Sequence, residues 1–259
     1  MKKIAIVTGA SSGMGRIFAR TAAANVSFDE LWIVARRLER LEEVAASLSA
    51  LRVQCLPLDL SDADAPARIE KKIVDEGAEV VLLVNAAGFG KFQAVLDVPQ
   101  EVADNMLALN CRALMDMCYV CLRHMGAGGK ILNIASVAAF QPVPYITEYA
   151  ATKAFVLGFS RGLWKEQKPR GVTVTALCPY WTKTEFFDRA NNKDSKDMVT
   201  YFNAMYDPED LVRRAWRDLG KGRDVSTFGF VARAQILLVK LLPHRLVMSV
   251  WCSQQGIKE

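Results

Sequence analysis

The sequence predicts an α/β fold, a single domain built on a doubly wound parallel sheet. Short apolar runs rich in Val, Ile and Leu alternate with longer segments of helical periodicity, as in sheets whose parallel strands are joined by helical crossovers. The runs are continuously apolar, which is typical of strands buried on both faces. No linker, repeat or low-complexity run divides the 259 residues, of which 51% are hydrophobic and 24% charged. We therefore expect residues 1–259 to form one domain.

The predicted strands and helices alternate along most of the chain. The strands are the apolar runs at residues 3–7, 31–34, 53–57, 80–84, 130–134, 172–177 and, more weakly, 224–227. The helices are the periodic segments at residues 15–24, 39–50, 63–76, 102–125, 149–165 and 208–219. Ligands of such sheets bind at the carboxyl ends of the strands, so the turns that follow the strands are where a site is expected.

The turn after the first strand reads Thr8-Gly9-Ala10-Ser11-Ser12-Gly13-Met14-Gly15 and opens the first helix. Gly9 permits the sharp turn, Gly13 lets the backbone approach a pyrophosphate, and Gly15 allows close helix–strand packing. Free N–H groups at a helix N-terminus favour phosphate. Glycine clusters also form plain turns, but this position favours a dinucleotide site of the Rossmann type. The predicted contacts are Gly9, Ser11, Ser12, Gly13, Met14 and Gly15.

The residues after the second strand indicate which dinucleotide binds. Arg36 and Arg37 stand where a site for NAD would place a carboxylate for the ribose hydroxyls. Two guanidinium groups suit a 2′-phosphate instead. The alternative is a solvated arginine pair that opens a charged helix. The missing acid favours NADP(H) as the cofactor.

Candidate catalytic residues lie in the second half of the chain. Tyr149 and Lys153 are four residues apart, which places a phenol and an ammonium group on one face of a helix. Ser136 follows the fifth predicted strand, and Asn110 lies within the long helix before it. A tyrosine and a lysine at this spacing occur by chance on many amphipathic helices. The pair therefore indicates a catalytic site only in combination with the other motifs.

That combination resembles the short-chain dehydrogenase/reductase family over residues 3–190. The resemblance implies that Tyr149 is the general acid in reduction and the base in oxidation, and that Ser136 holds the substrate oxygen. Lys153 is expected to lower the pKa of the phenol and to bond the nicotinamide ribose. Asn110 is expected to bind a water that links Lys153 to bulk solvent.

Further cofactor contacts are implied by the resemblance at the ends of the third, fourth and sixth strands. They are Asp59 and Leu60 at the adenine, Asn85, Ala86, Ala87 and Gly88 along the adenosine, and Pro179, Thr182 and Thr184 at the carboxamide and phosphate. Two positions depart from the family pattern. Ala86 replaces a second Asn. Tyr180 replaces a Gly and places a bulky ring beside the expected nicotinamide contacts after Pro179.

The expected function is an NADP(H)-dependent oxidoreductase that interconverts a ketone and a secondary alcohol. An aromatic-rich flap, residues 180–206, is expected to cover an apolar substrate together with Gln141 and Tyr145. The substrate is a small 3-oxoacyl, steroid-like or aromatic compound. The alternative for the flap is that its rings only pack beneath the loop.

Two other functional classes compete with the oxidoreductase. A non-catalytic nucleotide-sensing Rossmann module is expected to lack Tyr149 or Lys153, and both are present. A methyltransferase that uses S-adenosylmethionine is disfavoured because Arg36 and Arg37 stand where an acid is needed.

The distribution of charge indicates which partners are expected, and the cysteine content indicates the cellular compartment. The net charge is +5, and six cations but only two acids follow residue 220. This describes a basic tail on a near-neutral body, so no nucleic-acid partner is expected. Six cysteines without a secretory signal indicate the cytoplasm. Cys118 and Cys121 have no second pair and few histidines to join them, so no metal site is expected. The resemblance implies a homodimer or homotetramer formed through the Asn110 and Tyr149 helices.

The C-terminal extension, residues 228–259, is basic and amphipathic. Its apolar residues repeat at helical spacing between Val231 and Leu241, with Arg233 and Lys240 among them and Pro243 ending the helix. The segment is too short and too charged to span a bilayer. It is expected to cover the substrate cleft, to form a subunit interface, or to contact an anionic membrane surface.

Overall fold

The computed structural model describes residues 1–190 and 198–257, apart from the side chains of Asp188 and Arg189. The predicted α/β class is confirmed, with seven parallel strands in the order β3-β2-β1-β4-β5-β6-β7 within the described residues. The strands are β1 (Lys2–Thr8), β2 (Glu30–Ala35), β3 (Val53–Pro57), β4 (Ala78–Asn85), β5 (Lys130–Ile134), β6 (Thr173–Leu177) and β7 (Val225–Ser226). The order reverses between β1 and β4, which makes the sheet doubly wound.

Helices cover both faces of this sheet. They are α1 (Gly13–Thr21), α2 (Leu38–Ala46), α3 (Ala65–Asp75), α4 (Gln100–Leu107), α5 (Leu114–Arg123), α6 (Thr147–Gln167), α7 (Phe186–Ala190), α8 (Pro208–Gly220), α9 (Phe230–Leu241) and α10 (His244–Gln254). Alternate residues of β1 enter different layers of core. Ile4 and Ile6 pack with α3, α5 and α6, whereas Ala5 and Val7 pack with α1, α2 and α8.

The strand ends align at one edge of the sheet, where β1 and β4 diverge. Thr8 at the end of β1 is in register with Val34 of β2 and Asn85 of β4. The Thr8 hydroxyl accepts hydrogen bonds from the backbone N–H groups of Ala86 and Ala87 at 3.1 and 3.2 Å. These bonds hold the loop after β4 beside the turn after β1, and the crevice between them is where the sheet geometry places a ligand.

Two parts of the chain differ from the predicted elements. The helix predicted at residues 102–125 is divided into α4 and α5 by one π-helical turn, Ala108–Ala113, which the periodicity of the sequence does not show. The helical spacing before Pro243 is confirmed as α9, but the chain then forms α10, which was not predicted. Among the described residues, no helix has both the length and the apolar composition needed to cross a membrane.

Candidate active site

The turn after β1 forms one wall of a cleft along the carboxyl ends of β1, β2, β3 and β4. Gly9, Ser11, Ser12, Gly13, Met14 and Gly15 all line this cleft. A Cβ atom at Gly15 would lie 2.2 Å from the Gly9 carbonyl oxygen, so only glycine permits this approach of α1 to the turn. The side chain of Ser12 does not cap α1, which leaves the first helical turn facing the cleft as an anion site. These features fit a dinucleotide pyrophosphate.

The far end of the cleft is basic. Arg36 and Arg37 line it, as the sequence predicts, and Arg40 from the first turn of α2 joins them. The Arg36 guanidinium lies 3.6 Å from the Asp59 carboxylate. Burial raises the pKa of Asp59, but hydrogen bonds from Ser61 and the charge of Arg36 outweigh it, so the pKa lies below its ordinary value. Leu60 lines the same end, so the arginine cluster and the two predicted adenine contacts are brought together.

Arg40 has a partner that the sequence analysis did not identify. Glu185, in the segment after β6, accepts hydrogen bonds from Arg40 at 3.2 Å and from Arg16 of α1 at 3.0 Å. Glu185 itself lines the dinucleotide cleft. We call this arrangement the Glu185 bridge, because it joins the segment after β6 to α1 and α2 beside the cleft. No sequence motif marks it, since its three residues are far apart in the chain.

The four residues after β4 do not all face the cleft. Ala86, Ala87 and Gly88 line it. The side chain of Asn85 is buried in the sheet instead, where its amide nitrogen donates to the Asn133 side-chain oxygen at 2.9 Å. The predicted adenosine contact of this segment therefore rests on Ala86 to Gly88, and the Asn85 side chain fixes the position of β4 against β5.

Tyr149 and Lys153 lie on the face of α6 that meets the cleft. The buried Lys153 ammonium donates to the Ile134 carbonyl at 2.7 Å and lies 5.6 Å from the centre of the Tyr149 ring. Ser136 follows β5, and its hydroxyl is close enough to the Tyr149 phenol to lower the pKa of that phenol. The same hydroxyl accepts from the Ala138 N–H at 3.1 Å. Three of the four predicted catalytic residues thus meet at one point.

Burial dominates the electrostatics of this cluster. Burial raises the pKa of Tyr149 to about 12, although the hydrogen bond from Ser136 acts in the opposite direction. Burial also lowers the pKa of Lys153 to about 8. Lys153 donates to the Ile134 carbonyl and not to the phenol, so the expectation that its charge lowers the phenol pKa stays a prediction. At neutral pH the site holds a neutral phenol beside a charged ammonium.

Asn110 lies in the π-helical turn between α4 and α5 and is buried. Its amide nitrogen donates to the Phe89 carbonyl at 2.8 Å and to the Thr152 hydroxyl at 3.1 Å, and its side-chain oxygen accepts from the Phe89 N–H at 3.1 Å. Both amide donors are used within the protein. The side chain thus fixes the loop after β4 against α6, and the expectation that Asn110 binds a water linked to Lys153 stays a prediction.

A second cleft adjoins the dinucleotide cleft and shares five lining residues with it, among them Gly88 and Phe186. The Lys153 ammonium lies beside Gly88, and the Tyr149 ring contacts Phe186. Ser136, Tyr149 and Lys153 stand at the junction, with Pro179, Thr182 and Thr184 along the adjoining wall. Other lining residues are Tyr180, Trp181, Phe186, Phe187, Gln235 and Trp251. Within the described part of the chain, the buried Gln141 side-chain oxygen has no hydrogen-bond partner. This cleft can hold an apolar molecule that carries a second polar group.

Most rings of the flap serve both as packing and as cleft wall. Trp181 packs edge-on against Phe202 at 4.9 Å and lies over Trp251 of α10 at 6.3 Å, measured between ring centres. Phe186 contacts the Tyr149 ring at 5.4 Å. The fully buried Phe92, which sequence reasoning missed, lies within 6.1 Å of Phe186 and supports it. The polar middle of the flap, residues 191–197, lies outside the described residues.

The substitution of tyrosine for glycine after Pro179 is accommodated. The Tyr180 hydroxyl is hydrogen-bonded to Asn203 at 2.7 Å, and its ring meets Tyr206 at 6.3 Å. Tyr180 therefore ties the two ends of the flap together while lining the second cleft. Among the described residues, no three His, Cys, Asp or Glu side chains are grouped to hold a metal ion.

The sequence model of the short chain dehydrogenase family matches residues 3–195. The chain belongs to this family. The match spans β1 to β6, including both sides of the dinucleotide cleft and the Ser136, Tyr149 and Lys153 cluster.

Similar members of the short-chain dehydrogenase family include two from Danio rerio and one of known structure. The very-long-chain 3-oxoacyl-CoA reductases A and B are 33% and 31% identical to this chain. The first alignment covers 71% of this chain but only 59% of the relative, and the second covers 98% and 82%. A short-chain dehydrogenase from Sphingobium yanoikuyae in complex with NADPH has a TM-score of 0.77 and 28% identity, over 96% of both chains.

Substitutions of Lys153 and Asn110 test the roles of these two residues in this dehydrogenase. Lys153→Met is expected to lower both NADPH affinity and turnover, because the ammonium group is at the junction of the two clefts. Asn110→Ala is expected to lower the free energy of unfolding by about 1–3 kcal/mol for its lost buried bonds, and to lower turnover with a smaller effect on NADPH affinity. Fluorescence titration, steady-state rates and thermal melting separate the two. A Lys153→Met protein with unchanged NADPH affinity would contradict the assignment.

The buried thiols predict how the stability of this dehydrogenase depends on pH. Burial raises the pKa of Cys118 and Cys178 to about 12, as it does for Tyr149. A raised pKa in the folded state contributes stability that is lost as pH rises from the unfolded value towards the folded one. Lys153, whose pKa is lowered, acts in the opposite direction between pH 8 and 10.5. It is outnumbered, because burial also raises the pKa of Cys55, Cys111, Cys121 and Tyr180.

We therefore expect the free energy of unfolding to fall from about pH 9 upward. Urea titrations with a reductant at neutral and alkaline pH measure this change. Cys118→Ala should flatten the alkaline slope even if it lowers stability at neutral pH. A slope unchanged by this substitution would show that the buried thiol does not set it.

Proposed function

We propose that this chain is an NADP(H)-dependent oxidoreductase that interconverts a ketone and a secondary alcohol on an apolar substrate. The observation that carries the proposal is the meeting of Ser136, Tyr149 and Lys153 at the junction of two clefts. One cleft has a glycine turn and three arginines suited to a phosphorylated dinucleotide, and the other is lined mainly by apolar and aromatic side chains. The NADPH in the Sphingobium yanoikuyae structure supports the choice of cofactor.

The proposed roles follow from the contacts of each residue. Bound NADPH supplies the hydride to the carbonyl carbon. Tyr149, held as a neutral phenol, donates its proton to the carbonyl oxygen. The Ser136 hydroxyl oxygen accepts a hydrogen bond from the Ala138 N–H, so its proton is free to be donated elsewhere. Ser136 donates this proton in a hydrogen bond to the substrate carbonyl oxygen as negative charge develops there. Lys153 places a positive charge beside the phenol and favours its ionised form after the proton leaves.

A neutral Tyr149 phenol is the protonation state needed to start carbonyl reduction, so it favours reduction over alcohol oxidation. In the oxidation direction Tyr149 must first lose a proton, and each pKa unit above neutrality costs about 1.4 kcal/mol. With a pKa raised to about 12, the polypeptide alone disfavours that starting state. We propose that the protein acts as a ketone reductase near neutral pH, and that alcohol oxidation is favoured only at alkaline pH.

Among apolar ketones, a 3-oxoacyl thioester fits the second cleft well. The unpartnered oxygen of Gln141 marks a buried amide that can bond a second polar group, and amide orientation can be reversed to donate instead. A 3-oxoacyl thioester carries such a group near the reacting carbonyl, and the two Danio rerio relatives are named for this substrate class. Steroid-like and aromatic ketones are the other candidates.

A panel of ketones assayed by NADPH fluorescence tests the proposed function. It should contain 3-oxoacyl thioesters of increasing chain length, a steroid ketone and aromatic ketones, each compared with the corresponding alcohol and NADP⁺. We expect NADPH consumption with at least one ketone and a rate that rises with apolar size. Tight NADPH binding without consumption on any ketone would instead support a nucleotide-sensing module.

We also propose a homo-oligomer formed through α4, α5 and α6. Leu107, Tyr119 and Phe155 are exposed on these helices. Phe155 and Phe159 stack in parallel on α6 with ring centres 5.9 Å apart, beside a groove that runs to α5. Exposed apolar side chains grouped on neighbouring helices indicate a protein interface. Sedimentation equilibrium would give the number of subunits.

A reducing compartment such as the cytoplasm is the proposed location. Five cysteines, Cys55, Cys111, Cys118, Cys121 and Cys178, are free thiols, and the last three of them are buried. Such thiols persist where glutathione and thioredoxin keep cysteines reduced. Labelling of unfolded protein isolated from cells should show six reactive thiols.

A further inference from the structure

The C-terminal helix α9 carries an apolar face that points away from the protein. Ala232 and Val239 pack inward and are buried. On the opposite side of the helix, Phe230 is 85% exposed and Leu241 73% exposed, and Leu237 at 61% lies between them. Their spacing of seven and four residues places these three side chains along one line of the helix. A stripe of this kind is not explained by packing within the chain.

Helix α10 also has exposed apolar side chains on its outer side. Val247 and Trp251 face the protein, whereas Leu246 and Val250, four residues apart, are exposed. Isolated exposed leucines are ordinary, but several exposed apolar side chains on two successive helices indicate a binding surface. We call this group the C-terminal apolar face. Its members are Phe230, Leu237, Leu238, Leu241, Leu246 and Val250.

The segment that carries the C-terminal apolar face contains basic but no acidic side chains. The sequence from Val225 to Ile257 contains no Asp or Glu, but it contains Arg233, Lys240 and Arg245. Arg233 donates to the Thr227 carbonyl at 3.2 Å, and the Lys240 ammonium lies 5.7 Å from the Phe140 ring. Two of the three cations are therefore held at one flank of α9, next to its apolar stripe. Positive charge bordering exposed leucine and phenylalanine is complementary to anionic lipid.

The inner sides of the same helices form part of the second cleft. Gln235 of α9 and Trp251 of α10 line it. The Trp251 indole donates to the Pro144 carbonyl at 3.0 Å, which fixes α10 against the loop before α6. The two helices thus have the apolar cleft on one side and the C-terminal apolar face on the other.

We propose that the C-terminal apolar face binds the surface of an anionic lipid bilayer as a peripheral contact. The leucines and Phe230 enter the boundary between headgroups and acyl chains, and Arg233, Lys240 and Arg245 meet the headgroup phosphates. This interaction goes beyond the oxidoreductase function and requires neither cofactor nor substrate. Together with that function, it places the wall of the substrate cleft beside the medium in which long apolar ketones dissolve.

Co-sedimentation with vesicles tests the proposal directly. The probe is the full chain with large vesicles of phosphatidylcholine, either alone or mixed with phosphatidylglycerol. Wild-type protein should sediment with the mixed vesicles at low salt and be released at about 1 M salt, where screening shortens the Debye length to about 3 Å. It should bind pure phosphatidylcholine much more weakly.

A double variant, Leu237→Glu with Leu241→Glu, examines the apolar contribution. Two exposed leucines replaced by acids should lower the partition into anionic vesicles by at least about tenfold, because burial and charge complementarity are lost together. Leu96→Glu is the matched control. Leu96 is 99% exposed but lies outside the C-terminal apolar face, so this variant should bind as wild type does.

Three results would overturn the proposal. The first is wild-type protein that does not bind anionic vesicles at low salt, and the second is equal binding to neutral vesicles. The third is a double variant that binds normally but has a smaller particle mass, which would make the face an interface between copies of the chain. Thermal melting confirms that each variant is folded. NADPH consumption on a short ketone, measured without vesicles, separates failure of this proposal from failure of the oxidoreductase function.

Discussion

Replacing Tyr149 with phenylalanine is expected to lower ketone turnover by at least about 100-fold while NADPH affinity changes little. The substitution removes the hydroxyl that donates the proton and keeps the ring. Contact of that ring with Phe186 at 5.4 Å is retained, so the shape of the cleft is preserved. Measurement of kcat with saturating NADPH, together with a fluorescence titration of the cofactor, distinguishes loss of chemistry from loss of binding.

Tyr145 provides the matched control for this experiment. It lies in the loop before α6 and packs near the aromatic cluster, but no lysine follows it four residues later. Contrary to the expectation from the sequence, Tyr145 does not line the second cleft. Tyr145→Phe should therefore retain turnover near that of wild type. If Tyr149→Phe also remained within a few-fold of wild type, the assignment of Tyr149 as the proton donor would be wrong.

Replacing Arg36 with aspartate is expected to reverse the preference for NADPH over NADH. A hydrogen bond to a charged group contributes about 1.5–3 kcal/mol, so its loss alone weakens NADPH binding by roughly 10- to 100-fold. The new carboxylate also repels the 2′-phosphate and stands beside Asp59, which already lies 3.6 Å from the Arg36 guanidinium. NADH lacks that phosphate and can instead offer ribose hydroxyls to the new acid.

Arg52→Asp makes the same change in charge at an exposed position that does not line the dinucleotide cleft. It should leave the ratio of the two affinities unchanged, which separates a local effect from a change in net charge. Titrations of both reduced cofactors into each variant give the ratio. Equal affinity of the wild-type protein for NADPH and NADH would contradict the proposed role of the arginine cluster.

The strands and the dinucleotide turn were predictable because their signals are local. A continuous apolar run such as β6, or three glycines directly after β1, restricts the backbone wherever it occurs. The paired spacing of Tyr149 and Lys153 likewise needs only one helix. The position of Ser136 beside them follows from its place after a neighbouring strand, because strand ends meet at one edge of a parallel sheet.

The missed features depend on contacts between distant segments. Glu185 acquires its role only when the segment after β6 meets α1 and α2, and Phe92 only when the loop after β4 meets that segment. The π-helical turn at Asn110 depends on the buried bonds to Phe89 and Thr152, which periodicity cannot show. The pKa of Tyr149 is set by how deeply the phenol is buried, so residue identity and spacing could not give its direction.

The Glu185 bridge has a consequence for how the coenzyme leaves after each turnover. Arg16, Arg40 and Glu185 are all partly exposed, and ion pairs of this kind contribute only about 0–1 kcal/mol each. The segment after β6 is therefore joined to α1 and α2 by a connection that thermal motion breaks often. Exchange of spent for fresh nucleotide can proceed by parting two surface ion pairs while the buried cluster around Tyr149 keeps its geometry. Dissolved salt, which weakens those pairs, should quicken nucleotide exchange without altering the proton transfer itself.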